Sequence, residues 1–92
     1  MFNLINKEMK DLEENEKLTF GQRAVGLRFN PSGMNSVDNC KQKFADLIDD
    51  LNNFRNDENN SLSTEARRHA SIAITELESA QMRAVKALTF VD

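Results

Sequence analysis

An all-α helical hairpin is what this sequence predicts: two long helices, a short N-terminal helix packed across them, and enough spare apolar surface to require further copies. Three observations carry that expectation. Residues 37–54 and 66–88 each repeat apolar side chains at spacings of three and four, the helical period. A polar run over residues 56–63, containing Asn59 and Asn60, separates them as a connecting loop. The second pattern also carries apolar residues on two faces, more than one partner helix can cover.

Taken in order, residues 3–15 predict a short amphipathic helix, with Phe2, Ile5, Met9 and Leu12 spaced by three and four. Thr19 with Gln22 fits a capping box, so residues 20–27 predict about two helical turns. Gly21 and Gly26 leave an extended stretch as the alternative there. Pro31 fixes its own φ and pushes Asn30 out of the helical region. Pro31-Ser32-Gly33 then reads as a turn, with Gly33 free to take positive φ.

After that turn, Asn35 or Ser36 is expected to cap a long helix reaching Arg55. Its apolar stripe is Val37, Cys40, Phe44, Leu47, Ile48, Leu51 and Phe54. Asp38 suits the positive end of that helix dipole and Arg55 the negative end. Ser63 caps the last helix, with Glu65 in its first turn. That helix should reach Phe90, about 26 residues or near 39 Å at 1.5 Å per residue. Its expected seam is Ala66, Ala70, Ala73, Leu77, Ala80, Ala84, Ala87 and Leu88, with Ile72, Ile74, Met82 and Val85 pointing away. Leftover apolar surface on so small a chain points to a homo-oligomer.

Ninety-two residues make one small domain, and a domain of this size buries only about 60–65% of its unfolded surface. The division expected is a helical extension over residues 1–19 and the hairpin domain over residues 20–92. Cys40 is the only cysteine, so no intrachain disulfide is expected and a reducing compartment is the simplest reading. No apolar run approaches the ~20 residues of a membrane span, and the first residues lack a signal-peptide core. A cytoplasmic protein without membrane contact is the expectation. A net charge of −3 argues against long nucleic acids, which demand many phosphate contacts. The acids crowd residues 8–16, whereas Arg23, Arg28, Lys41 and Lys43 flank the turn and the helix after it.

Signals for catalysis are weak. His69 is the only histidine, and no second His or Cys lies at metal-ligand spacing. Cys40 falls on the buried stripe, where it acts as a small hydrophobe rather than a nucleophile. Asp49-Asp50 and Asp57-Glu58 are adjacent pairs whose side chains diverge, a solvated face and loop rather than a shared-proton dyad. Neither a phosphate loop nor a dinucleotide fingerprint is present. The sequence therefore predicts no enzyme, no metal and no cofactor.

A binding constellation remains, in residues Arg28, Phe29, Asn30, Pro31, Ser32 and Gly33. Phe29 sits on stiff backbone beside a cation, either as a hydrophobic staple of the hairpin or as a stacking platform for a planar ligand. Lys41 or Lys43 could reach phosphates, but the two stand about 200° apart on a helix. Lys41, at the stripe's edge, is the better placed; both are otherwise ordinary surface lysines. Arg83 and Lys86 form a second basic pair on one face of the last helix.

Three segments resemble the anti-CBASS cyclic-oligonucleotide sponges, a family of small helical phage proteins. They are Val25-Gly26-Leu27-Arg28-Phe29-Asn30-Pro31-Ser32-Gly33, Ala70-Ser71-Ile72-Ala73-Ile74-Thr75-Glu76-Leu77 and Ala80-Gln81-Met82-Arg83-Ala84-Val85-Lys86-Ala87. The likeness spans residues 20–90. It implies a compact hexamer that binds cyclic dinucleotides between protomers and, in some members, cyclic trinucleotides at separate sites on symmetry axes. The messenger is sequestered uncut, so host CBASS effectors stay inactive in the infected bacterium. By the same resemblance Phe29 stands where relatives carry a base-stacking Tyr, and Asn30 where they carry His. Lys41 or Lys43 matches a phosphate-contacting lysine, and Arg83 and Lys86 lie in the segment linked to trinucleotides. Residues 1–19 lie outside the likeness, as a lid or an assembly element. The rival reading is a helical adaptor or inhibitor that docks on a protein through its apolar surface and binds no nucleotide.

Overall fold

In the computed structural model, residues 17–59 and 61–92 are described, and among them there are three helices and no strand. Helix α1 spans Phe20–Ala24, α2 spans Asn35–Asn56 and α3 spans Thr64–Thr89. The helix expected over residues 3–15 lies outside the described residues. Helices α2 and α3 form the hairpin, and α1 packs against α2.

Helix α1 begins as its sequence predicts. The Gln22 backbone N–H donates to Thr19 Oγ1 at 3.1 Å, and the Thr19 N–H donates back to Gln22 Oε1 at 3.0 Å. The helix is nevertheless shorter than two full turns. Gly26 takes φ +60°, and its N–H donates to the Arg23 carbonyl while the Leu27 N–H donates to that of Gln22. That pair of bonds is a Schellman stop, which ends the helix at Ala24.

The start of α2 corrects the expected cap. Met34 is the N-cap, and no side chain caps it. Asn35 is already helical. The side-chain bonds near this end come from the preceding turn instead, where Asn30 donates to the Met34 carbonyl and Ser32 Oγ accepts from the Met34 N–H. Helix α3 starts as expected, with the Ala66 N–H donating to Ser63 Oγ at 3.1 Å.

The core contains Val25, Val37, Ala45, Ile48, Ala70 and Ile74. Two registers differ from the sequence reading. On α3 the buried line runs Ala70, Ile74, Gln81, with Leu77 packed against it, while Ala80, Ala87 and Leu88 are exposed. Ile74, expected to point away, is a core residue. The true seam is turned by roughly 50° from the alanine stripe, at 100° per residue. Burying Ile74 removes far more apolar area from water than burying an alanine, so the bulkier line faces the partner. On α2 the buried line is Val37, Lys41, Ala45 and Ile48. Cys40, Phe44 and Leu51 are half-buried, and Leu47 and Phe54 are exposed.

Gly21 fixes how closely α1 approaches α2. A Cβ there would lie 2.1 Å from the Ala45 carbonyl oxygen, and the Gly21 N–H donates to Asp49 Oδ1 at 2.6 Å. At the loop end, Arg55 binds Asn52 Oδ1 and Ser71 Oγ, and its guanidinium lies 5.4 Å from the Phe20 ring centre. Arg67 donates to the Arg55 carbonyl. All three helices meet at that arginine. Among the described residues no helix is long and apolar enough to cross a membrane.

Gly21→Ala is expected to lower stability by about 1–3 kcal/mol, the usual cost of overpacking, because α1 must lift from Ala45. Denaturant unfolding at fixed protein concentration measures it, and an unchanged midpoint contradicts the close contact.

Candidate functional site

The Schellman stop after α1 sends the chain directly into Phe29. The Phe29 N–H donates to the Gly26 carbonyl at 2.9 Å, closing a second tight turn. From α2, the Lys41 ammonium reaches up to the same Gly26 carbonyl at 2.9 Å and also donates to the Phe29 carbonyl. Lys41 is only 4% exposed. Its stem therefore fills core space while its charge fastens the turn to the hairpin.

The next turn is fastened as firmly. The Asn30 side-chain amide donates to the Met34 carbonyl at 3.0 Å and to Asp38 Oδ1 at 2.8 Å. Ser32 Oγ donates to Asn30 Oδ1 at 2.6 Å and accepts from the Met34 N–H at 3.1 Å. Pro31 holds the turn's second position, and Gly33 takes φ +68°. Asn30, Pro31, Ser32 and Gly33 thus build the turn itself.

Phe29 stands out of this scaffold, 73% exposed. The Lys41 ammonium lies 5.6 Å from its ring centre, within reach of a cation–π contact. In this chain the ring does not staple the hairpin core. It forms one wall of an open groove of about 520 Å³, whose other lining includes Arg23, Val25, Lys41, Gln81 and Met82. A smaller hollow of about 190 Å³ lies between the Pro31 turn and the end of α3, at Val85 and Thr89.

Other predicted residues fall elsewhere. Arg28 lines a shallow hollow with Asn30, Asp38 and Gln42. Lys43 lies in a separate groove with Cys40, Phe44, Ala84 and Leu88, so Phe29 and Lys43 share no groove of one chain. Arg83 and Lys86 line a third, of about 480 Å³, with Glu76 and Met82. Met82 belongs to both this groove and that of Phe29. His69 is exposed and lies 3.3 Å from Glu65. Among the described residues no group of His, Cys, Asp or Glu is arranged to hold a metal ion.

Gln81 and Met82 were not singled out as site residues from the sequence. A signal did exist for Gln81: it falls in phase with Ala70, Ile74 and Leu77, where a polar side chain must be buried.

The exposed ring, the fastened turn and the hairpin beneath them occupy a stretch that matches a known domain. The profile of the Acb2/Tad1 hairpin domain covers residues 22–89. The chain belongs to the Acb2/Tad1 family, the anti-CBASS sponges. Searches of curated proteins and of solved structures found no match. Membership of Acb2/Tad1 agrees with the resemblance read from the segments around Phe29 and Arg83. The matched range takes in α2 and α3 whole and the grooves of Phe29 and Arg83, and begins after Gly21. Acb2/Tad1 is a binding family rather than a catalytic one.

Lys41→Met should cost about 1.5–3 kcal/mol of stability, since it removes a charged donor from the Phe29 carbonyl and leaves the Gly26 carbonyl with the Phe29 N–H alone. Lys43→Ala should stay within about 0.5 kcal/mol, as surface substitutions usually do. Equal losses in chemical denaturation would contradict the different placement of the two lysines.

Proposed function

We propose that this protein sequesters cyclic dinucleotides made by a bacterial host, holding them uncut so that CBASS effectors are not activated. The setting is the cytoplasm of a phage-infected cell. The observation that carries the reading is Phe29: a bare aromatic ring on a backbone fixed at both carbonyls, in a chain of the sponge family.

A nucleobase offers a flat apolar face, and stacking on an aromatic side chain is worth about 1–3 kcal/mol per base. Because the turn is already ordered, little is lost in fixing the platform when ligand binds. Lys41 uses two of its three ammonium donors on carbonyls, and the third is the candidate for a phosphate oxygen. Arg23 supplies a further cation in the lining of the Phe29 groove, and Arg28, in the neighbouring hollow, adds positive charge on the far side of the turn. Asn30, Pro31, Ser32 and Gly33 act by shaping the turn.

A cyclic dinucleotide carries two bases and two phosphates, so a two-fold site built from two chains matches it. The apolar face of Phe44, Leu47, Leu51 and Phe54 supports such an assembly, with a hexamer the form expected for the family. In it, Lys43 could approach a neighbour's ligand even though it lies away from its own Phe29. Arg83 and Lys86, in their separate groove, are the proposed contacts for cyclic trinucleotides.

Titration calorimetry with cyclic GMP–AMP should give saturable heat at about one ligand per two chains, as a two-fold site requires. Phe29→Ala should weaken binding about tenfold or more while the helical content and oligomer size stay unchanged. Ligand recovered after denaturing the complex should be chemically intact. Absence of heat with several cyclic dinucleotides overturns the proposal, and a Phe29→Ala variant that falls to monomers makes the ring an assembly contact instead.

A further inference from the structure

Gln81 is the most unusual side chain of the Phe29 groove. It is 5% exposed as a whole, but among the described residues no buried side-chain nitrogen or oxygen lacks a partner, so its carboxamide, bonded to no other described residue, is not sealed in the core and keeps access to the groove it lines. A primary amide carries two donor hydrogens and an acceptor oxygen, and a buried one is ordinarily satisfied. Here it lies in the groove lining together with Phe29 and Lys41. It comes from α3, whereas the stacking ring comes from the turn before α2. A planar base on the ring therefore has its face against Phe29 and an edge available to α3.

We propose that Gln81 is the base-reading residue of this groove, selecting adenine over guanine in the bound cyclic dinucleotide. The inference rests on the cyclic-nucleotide reading above. An amide matches an edge that offers one donor beside one acceptor, as adenine does at N6–H and N7. Guanine offers two acceptors on the corresponding edge, O6 and N7, which suit a cation and leave the amide oxygen unpaired. Burial restricts the Gln81 side chain before ligand arrives, so the pairing needs little further ordering. A site that turns an amide toward the base gains most from the base that pairs with both its donor and its acceptor, and less from one that pairs with only one of them.

The test compares cyclic di-AMP with cyclic di-GMP by calorimetry on the full chain. Wild type should bind cyclic di-AMP about tenfold tighter or more, the discrimination of one good bidentate pair. Gln81→Met, unbranched and of similar size, should bring the two ligands within about threefold by weakening cyclic di-AMP. Gln81→Glu, which keeps the shape and loses the amide donor, should also lose the preference. Unliganded Gln81→Met should melt near the wild-type temperature, because the amide it removes makes no hydrogen bond within the fold.

A preference for adenine that survives both variants overturns the inference, as does one that shifts only when Glu78 is changed to Gln. A lowered melting temperature with an unchanged ligand ratio marks Gln81 as a packing residue and overturns it too. If wild type binds neither ligand, the underlying sequestration reading has failed. If binding is present and weakened by Phe29→Ala while the ratio ignores Gln81, only the base-reading role has failed.

Discussion

The contact on which the site depends is the Lys41 ammonium against the carbonyls of Gly26 and Phe29. A lysine at 4% exposure has given up nearly all of its water, and only strong, well-directed hydrogen bonds offset that loss. The Phe29 carbonyl gains most, because the Gly26 carbonyl also accepts from the Phe29 N–H within the turn. The result is a cross-link between irregular backbone and the middle of α2. Carbonyl oxygens solvate the charge without cancelling it, so a positive centre persists 5.6 Å from the Phe29 ring. One side chain thereby fixes the platform and sets the sign of the field beside it.

That arrangement also explains how a large aromatic can be 73% exposed without being loose. Phe29 has its N–H and its carbonyl both bonded, leaving only two side-chain torsions to order. The Asn30 amide, spanning from the turn to Asp38 on α2, holds the following residues in the same way. Upstream, Gly21 brings α1 against Ala45, and the Schellman stop at Gly26 then determines where the chain emerges. Each constraint is local. Together they deliver one ring to one place on a hairpin whose own helices could not have presented it.

Local chemistry was therefore the legible part of the sequence. Thr19 with Gln22, Ser63, and the Pro31–Gly33 turn behave as their residue types dictate, because each needs only neighbours within a few positions. Helix register was less legible. Ala66, Ala73, Ala80 and Ala84 look like a seam by periodicity, but alanine is nearly as content at a surface as in a core. The competing line through Ile74 wins because a β-branched side chain loses more by exposure. The burial of two polar residues of the groove was hidden for a related reason, although the sequence marks Lys41 as a candidate phosphate contact and does not so mark Gln81. Lys41 and Gln81 read as surface by type and as core by phase, in lines 37–41–45–48 and 70–74–77–81 respectively. Periodicity scored on apolar residues alone passes over both, whereas the phase itself singles them out as polar groups that must have a reason to be buried.

The sequestration proposed for this chain makes different demands from catalysis. A reaction needs groups aligned on a transition state, often with a metal or a tuned acid and base. Retention needs only that the bound state be favourable and slow to leave, which rests on pre-ordered surfaces and complementary charge. Charge here is local rather than global: the net value of −3 includes an acidic run over residues 8–16, while Arg23 and Lys41 line the groove of the ring. A long polyanion would experience the overall repulsion along its length. A compact dianion would experience mainly the few cations within a Debye length of it, about 8 Å at physiological salt. On the proposed reading, the uneven placement of charge selects small cyclic messengers over nucleic acid chains without any dedicated barrier.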